Sequence, residues 1–251
     1  MEETPKKDFS AIGQDILFAA RNELYLNLPY LDVALCSLRF QPGGGVTLSL
    51  ATDGETLYYD GSFLAERYLR SRTAVNRAYL HVLLHCMLRH IFKKRGKVPE
   101  LWDLACDAAV ESILDELEYA CLTEGTVPMK QKFYGQCRRD MPVLTAEGIY
   151  RRLLRISLPD YELAQLQRAF LVDDHGLWDP EKREDQEQRQ QQDQKWRDLS
   201  GKTRTGLETV LAGQAAGGEA VLEQIQVATR DDVDYRAFLR RFAVPREVMA
   251  V

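Results

Sequence analysis

Residues 74–92 read AVNRAYLHVLLHCMLRHIF, and this stretch decides the fold. It is apolar almost all round, which predicts a long helix buried in a core rather than one half in water. Lys93, Lys94 and Arg95 complement the negative end of its dipole, and Gly96 supplies a C-cap. Pro99 opens a second helix, about 99–119, with Glu100 and Asp103 in its first turn. A buried helix needs neighbours, so the flanking segments must wrap it.

Upstream, Val46–Thr52 (VTLSLAT) and Glu55–Asp60 (ETLYYD) alternate and are rich in strand formers, with Asp53-Gly54 between them as a two-residue turn. A helix is expected over 8–26, ending before Pro29, then a helical or mixed stretch 30–40 and a loop at GlnProGlyGlyGly 41–45. A short helix is expected over 61–73. Downstream, 120–142 reads as irregular, Thr145 starts a helix to about Ser157, and 159–178 holds a further element ending in DDHGLW (173–178). From 180 to about 213 the pattern is helical and very polar, with glutamines at 190–192, as in a solvated face or a partly disordered arm. AlaAlaGlyGlyGlu 215–219 breaks it, and two short helices should follow. The expected fold is α+β, predominantly helical, with a small β-hairpin. Residues 1–178 form the core, and 179–251 a C-terminal helical extension packing on it.

Length, at 251 residues, suffices for a substantial core. The net charge of −5 argues against a nucleic-acid footprint. No apolar run approaches the roughly 18 residues of a membrane span. The start, MEETPKKDFS, lacks the apolar segment of a secretory signal. Five cysteines without tight spacing fit free thiols in a reducing cytoplasm.

Three of the four histidines, His81, His85 and His90, lie within the buried helix. At about 100° per residue, His81 and His85 share a face and can reach one metal ion. By the same arithmetic His90 points away and is expected to be structural. The alternative for His81 and His85 is a satisfied core pair. A zinc site needs a third protein ligand. Asp107 and Glu111, again four apart, sit in an apolar stretch where a carboxylate is costly unless paired or metal-bound. They are candidates, or else partners of arginines. His175 is the competing third ligand, or a donor reaching into the site. Cys86 and Cys106 are read as core thiols.

The zinc-hydrolase pattern H-E-x-x-H uses its Glu as general base. Here the segment is His81-Val82-Leu83-Leu84-His85, and valine cannot move a proton. Glu111, Asp173 and Asp174 are the candidate substitute carboxylates, and Val82→Glu is expected to restore hydrolysis if the rest of the machinery survives.

ATDGETLYYD, H-x-x-x-H-x-x-x-x-H, LWDLACDAAVE, TAEGIYRRL, DDHGLW and DVDYRAFLRRF occur in this order from about residue 51 to 242. The chain resembles, from about residue 11 to 245, the bacterial metallopeptidase-like domain that usually precedes a von Willebrand factor A-like domain. The resemblance implies a zincin-like core and zinc held by His81, His85 and Asp107. Family members usually carry Glu at position 82 and commonly Asn at 111, so Val82 and Glu111 are departures. A MoxR-type AAA+ ATPase or a von Willebrand A-like domain is the partner the resemblance implies. Three functions follow as expectations. The first is a metal-binding domain impaired in catalysis by Val82 that binds a protein or peptide. The second is an active zinc peptidase with Glu111 as substitute base and His175 assisting. The third is a metal-free scaffold for the ATPase. Strand 55–60 would offer an extended substrate an edge to pair with.

Overall fold

Two side-chain caps start the helices at the heart of the molecule: Asp60 accepts from the Phe63 amide at 2.8 Å, and Ser71 from that of Ala74 at 3.2 Å. In the computed structural model, which describes residues 9–178, 186–212 and 219–230, the chain runs as follows. Helix α1 (Ser10–Asn27) and the short α2 (Asp32–Leu35) precede strands β1 (Arg39–Pro42), β2 (Leu50–Thr52) and β3 (Thr56–Tyr59). Then come α3 (Gly61–Arg70), α4 (Arg72–Met87), α5 (Pro99–Glu116), α6 (Pro128–Cys137), α7 (Ala146–Ile156), α8 (Asp160–Phe170), α9 (Gln186–Ala212) and α10 (Glu219–Arg230). The architecture is α+β and mainly helical, as expected.

Every residue of α4 from Ala74 to Met87 is buried, so the all-round apolar pattern means what it should. Its length differs from the sequence reading. α4 stops at Met87, Arg89 takes a left-handed conformation (φ 63°), and His90–Lys93 form a 3-10 turn. Two contacts fix the break. Ser200 donates to the Met87 carbonyl at 2.7 Å, and the Arg89 guanidinium makes two bonds to Asp193, at 2.6 and 2.8 Å.

The hairpin forms, with its turn one residue later than expected. Leu50 pairs with Tyr59 and Thr52 with Leu57, which leaves Gly54-Glu55 at the centre and Gly54 at φ 89°. Asp53 closes the turn with its side chain, accepting from the Glu55 and Thr56 amides. A third strand, β1, was read as helical or loop. It pairs parallel to β3, giving the order β1-β3-β2. β3 is therefore central and offers no free edge, contrary to the expectation for 55–60.

Two further segments depart from the reading. The irregular stretch 120–142 contains α6, which opens on Pro128 and buries Phe133 and Tyr134. The polar helix α9 is no solvated arm, because Trp196, Leu199, Ser200, Thr203 and Leu207 are buried. Trp196 donates its indole N–H to the Gly54 carbonyl at 2.6 Å, tying α9 to the hairpin turn. The expected breaker at 215–219 lies largely, and the second of the two C-terminal helices with the DVDYRAFLRRF motif wholly, outside the described residues. No described helix is long and apolar enough to cross a membrane.

Candidate metal centre

One turn of α4 separates His81 from His85, and their rings meet edge to face with centroids 4.6 Å apart. α5 packs against α4 and presents Asp107 and Glu111, also one turn apart. A third piece of chain completes the site. After α8 the backbone crosses the outer side of β2, where the Asp174 amide donates to the Leu50 carbonyl at 2.7 Å. This bridge aims the flanking Asp173 and His175 inward.

The donors converge. His81 Nε2 lies 2.8 Å from His85 Nε2, 3.3 Å from Asp107 Oδ1 and 3.4 Å from Asp173 Oδ1. His85 Nε2 lies 3.3 Å from the same Asp107 oxygen and 3.9 Å from the same Asp173 oxygen. Four donor atoms around a tetrahedral ion with bonds of about 2.0–2.2 Å stand about 3.3–3.6 Å apart. The separations to Asp107 and from His81 to Asp173 match that spacing, while the His81–His85 pair is closer and His85–Asp173 wider, so two imidazole nitrogens and two carboxylate oxygens surround a point where a divalent ion could sit. Among the described residues, His81, His85, Asp107 and Asp173 form a group able to hold one. Asp173 Oδ2 is buried without a hydrogen-bond partner, as a carboxylate intended for a cation would be.

The electrostatics make the same demand. Burial disfavours a charged His81, yet hydrogen bonds to Asp107, Asp173 and Glu111 outweigh it and push its pKa up to about 10. Burial and the neighbouring charge on His81 hold His85 down at about 4. Burial opposes ionisation of Asp107 and Asp173, but the charge and hydrogen bonds of His175, with those of His81 and His85, keep both well below the usual carboxylate range. Two buried carboxylates thus stay ionised around a point that requires positive charge. A proton on His81 meets the requirement when no metal does.

Glu111 is placed otherwise than a substitute base would be. Its Oε1 accepts from His81 Nδ1 at 2.8 Å, on the side of the ring away from the donor cluster. Its Oε2 accepts from Arg77 at 2.8 Å and Lys130 at 2.6 Å. Both oxygens are engaged, and the cations with His81 hold the carboxyl far below its ordinary range despite burial. An ionised carboxylate only accepts, so Nδ1 of His81 carries hydrogen and the Nε2 lone pair is left for the cluster. In this arrangement both Glu111 oxygens are taken up by His81, Arg77 and Lys130.

His90 is also elsewhere than the helical wheel put it. Because α4 ends at Met87, His90 folds back and its Nδ1 lies 3.0 Å from His85 Nδ1. It touches the other nitrogen of a cluster residue, as Glu111 does for His81. His175 joins the cluster, its Nε2 3.0 Å from Asp173 and 3.2 Å from Asp107. Its ring stacks on Trp178, with centroids 3.5 Å apart and planes 15° apart. Asp173 was weighed as a base rather than a donor, and the signal for its inclusion is that DDHGLW carries a second acid beside a histidine. Arg77 and Lys130, which cage Glu111, gave no sequence signal. Cys86 and Cys106 are buried and burial raises their pKa, as core thiols require.

Asp107, Asp173 and His175 line an open cleft of about 520 Å³ together with the apolar Phe63, Leu104, Leu171 and Val172. Val82 does not face it and is fully buried in the core. A helical core with a buried His-His-carboxylate cluster beside a cleft is the arrangement of a metal-binding domain. The chain belongs to the family described as "Putative metallopeptidase domain", whose sequence model matches residues 14–239. No curated protein and no solved structure matches it.

Proposed function

We propose that the chain holds one zinc ion through His81, His85 and Asp107, with Asp173 as fourth ligand, and binds protein segments in its cleft without cutting them efficiently. One observation supports this reading: four buried protein donors converge with their ligand atoms within 4.8 Å of one another. Zinc sites with four protein ligands are closed and structural, whereas hydrolytic ones keep a position open. When bound, the ion would neutralise the two buried carboxylates and tie the segments that carry its ligands together. The chain's own residues do the rest. Glu111 fixes the His81 ring, His90 supports His85, and the apolar walls take side chains of a bound segment. No base of the H-E-x-x-H kind stands beside His81, and the lack of a positioned base typically costs about 10²–10⁴-fold in hydrolysis.

Residual hydrolysis is the second reading, favoured by one contact. His175 faces the cleft with Asp107 and Asp173, and its pKa is held well above the ordinary value because both carboxylates outweigh burial. It would stand there as a proton donor. By family resemblance we also expect a MoxR-type AAA+ ATPase or a von Willebrand A-like domain as partner, in the cytoplasm.

Elemental mass spectrometry of protein purified without chelator tests the metal. About one zinc per chain is expected, lost in Asp107→Ala and weakened in Asp173→Ala. No metal in the unaltered protein would leave the scaffold reading. Chelator-sensitive peptide cleavage that vanishes in His85→Ala would establish the second.

A further inference from the structure

Arg67, in the last turn of α3, lines the same cleft as Asp107, Asp173 and His175. Its Nε donates to the Ala74 carbonyl at 3.1 Å, which anchors the head group at the junction of α3 and α4. Among the described residues, no carboxylate lies within ion-pair distance of it. Other cations around the site are committed: Arg77 and Lys130 to Glu111, and Lys94 to Asp103. Burial is the largest influence on the Arg67 guanidinium and disfavours its charge, against weaker attraction from Glu124 and Glu111. A partly buried guanidinium without a counter-ion is costly, and its fork of N–H donors suits a planar carboxylate.

The rest of the cleft limits what can bring that carboxylate. The outer edge of β2 is bridged by Asp174, so main-chain pairing there is already used. Side chains are therefore the groups that would hold a ligand. The walls Phe63, Leu104, Leu171 and Val172 are apolar, and about 520 Å³ admits a short peptide. The other acids of the cleft are engaged or peripheral. Asp103 is paired with Lys94, Asp174 accepts from the Gly176 amide, and Glu100 stands exposed in the first turn of α5.

We infer that Arg67 is a specificity determinant of this cleft: it takes a carboxylate of a short apolar peptide whose body lies along the apolar lining. The inference rests on the cleft being the ligand site of the metal-binding reading. The carboxylate can be a chain terminus or an acidic side chain.

The test is calorimetric titration of the full chain, with zinc content measured on the same samples. Three probes are used: acetyl-Leu-Ala-Leu with a free carboxyl terminus, its C-terminal amide, and acetyl-Leu-Asp-Leu amide. The free-acid probe, the Asp probe or both should bind at least about tenfold more tightly than the neutral amide, as expected of a charge-assisted pair. The preference for one over the other tells terminus from side chain. Arg67→Gln should abolish the discrimination while zinc content stays at its unaltered level, and Arg67→Lys should restore part of it. Equal binding of all three probes, or no binding, by the unaltered protein would overturn the inference, and this comparison needs no variant to fold. So would full discrimination in Arg67→Gln. Carboxylate discrimination without any bound zinc would instead sink the metal reading and leave Arg67 in its role.

Discussion

Glu111 shows how much of a metal site can lie behind its ligands. Its carboxylate fixes one imidazole and neutralises two cations, all away from water. Glu111→Gln keeps the shape and removes the charge. Partners of this kind typically change metal affinity by about 10–100-fold, so zinc binding measured against a chromophoric chelator should weaken by that factor. The metal-free protein should also lose roughly 3–5 kcal/mol in denaturant unfolding, because Lys130 loses its buried counter-charge and Arg77 keeps only the partly exposed Asp115. Affinity and stability both unchanged would mean that Glu111 is a bystander. Val82 gives the opposite case. The sequence pattern alone suggests that Val82→Glu returns a base. The structure seats Val82 in the core, away from the cleft. A carboxylate there meets no cation, so we expect the variant to lose about 3–5 kcal/mol of stability and to gain no peptide cleavage. A metal-dependent rise in cleavage would show that residue 82 reaches the site after all.

At the scale of elements, the end of α4 decides where His90 goes. The sequence reading of residues 74–92 found the buried helix and the His81–His85 pair, because burial and a period of 3.6 both leave marks in composition. The break at Arg89 left none. A left-handed residue that is not glycine is chosen by tertiary partners, here Asp193 and Ser200 on α9, more than a hundred residues away in the chain. β1 was illegible for a similar reason: four mostly exposed residues become a strand only because β3 lies beside them. The turn slipped by one residue because Asp53 was read as a turn centre, while its side chain closes the turn from outside. The Arg89–Asp193 pair can be tested directly. Asp193→Ala removes two charge-assisted bonds from a buried guanidinium and should cost on the order of 2–3 kcal/mol, read by denaturant unfolding. The His90 ring signals in an NMR spectrum should move with it. A stability change under about 0.5 kcal/mol, the usual scatter of surface substitutions, would mean that the break is set by α4 itself.

For the whole molecule, the site is a junction rather than a pocket within one element. α4 gives two donors, α5 one, and the segment after α8 one, and that segment is bridged to β2. α9, read from its composition as an arm or a solvated face, buries Trp196 against the hairpin turn and ties the end of α4. Metal binding at this junction would cross-link parts far apart in sequence. Treating 1–178 as core and 179–251 as an extension upon it, we propose that α9 unfolds with the core in a single transition. A ligand that binds only the folded state stabilises by about 4 kcal/mol at a thousandfold excess over its Kd. For a chain of this size each kcal/mol raises Tm by about 2–4 °C. Scanning calorimetry with saturating zinc, then with chelator, should show one transition that falls by about 8–16 °C on chelation. Two transitions, only one of them sensitive to zinc, would separate α9 from the metal core. An unmoved single transition would mean that buried Asp107 and Asp173 are balanced by protonated histidine alone.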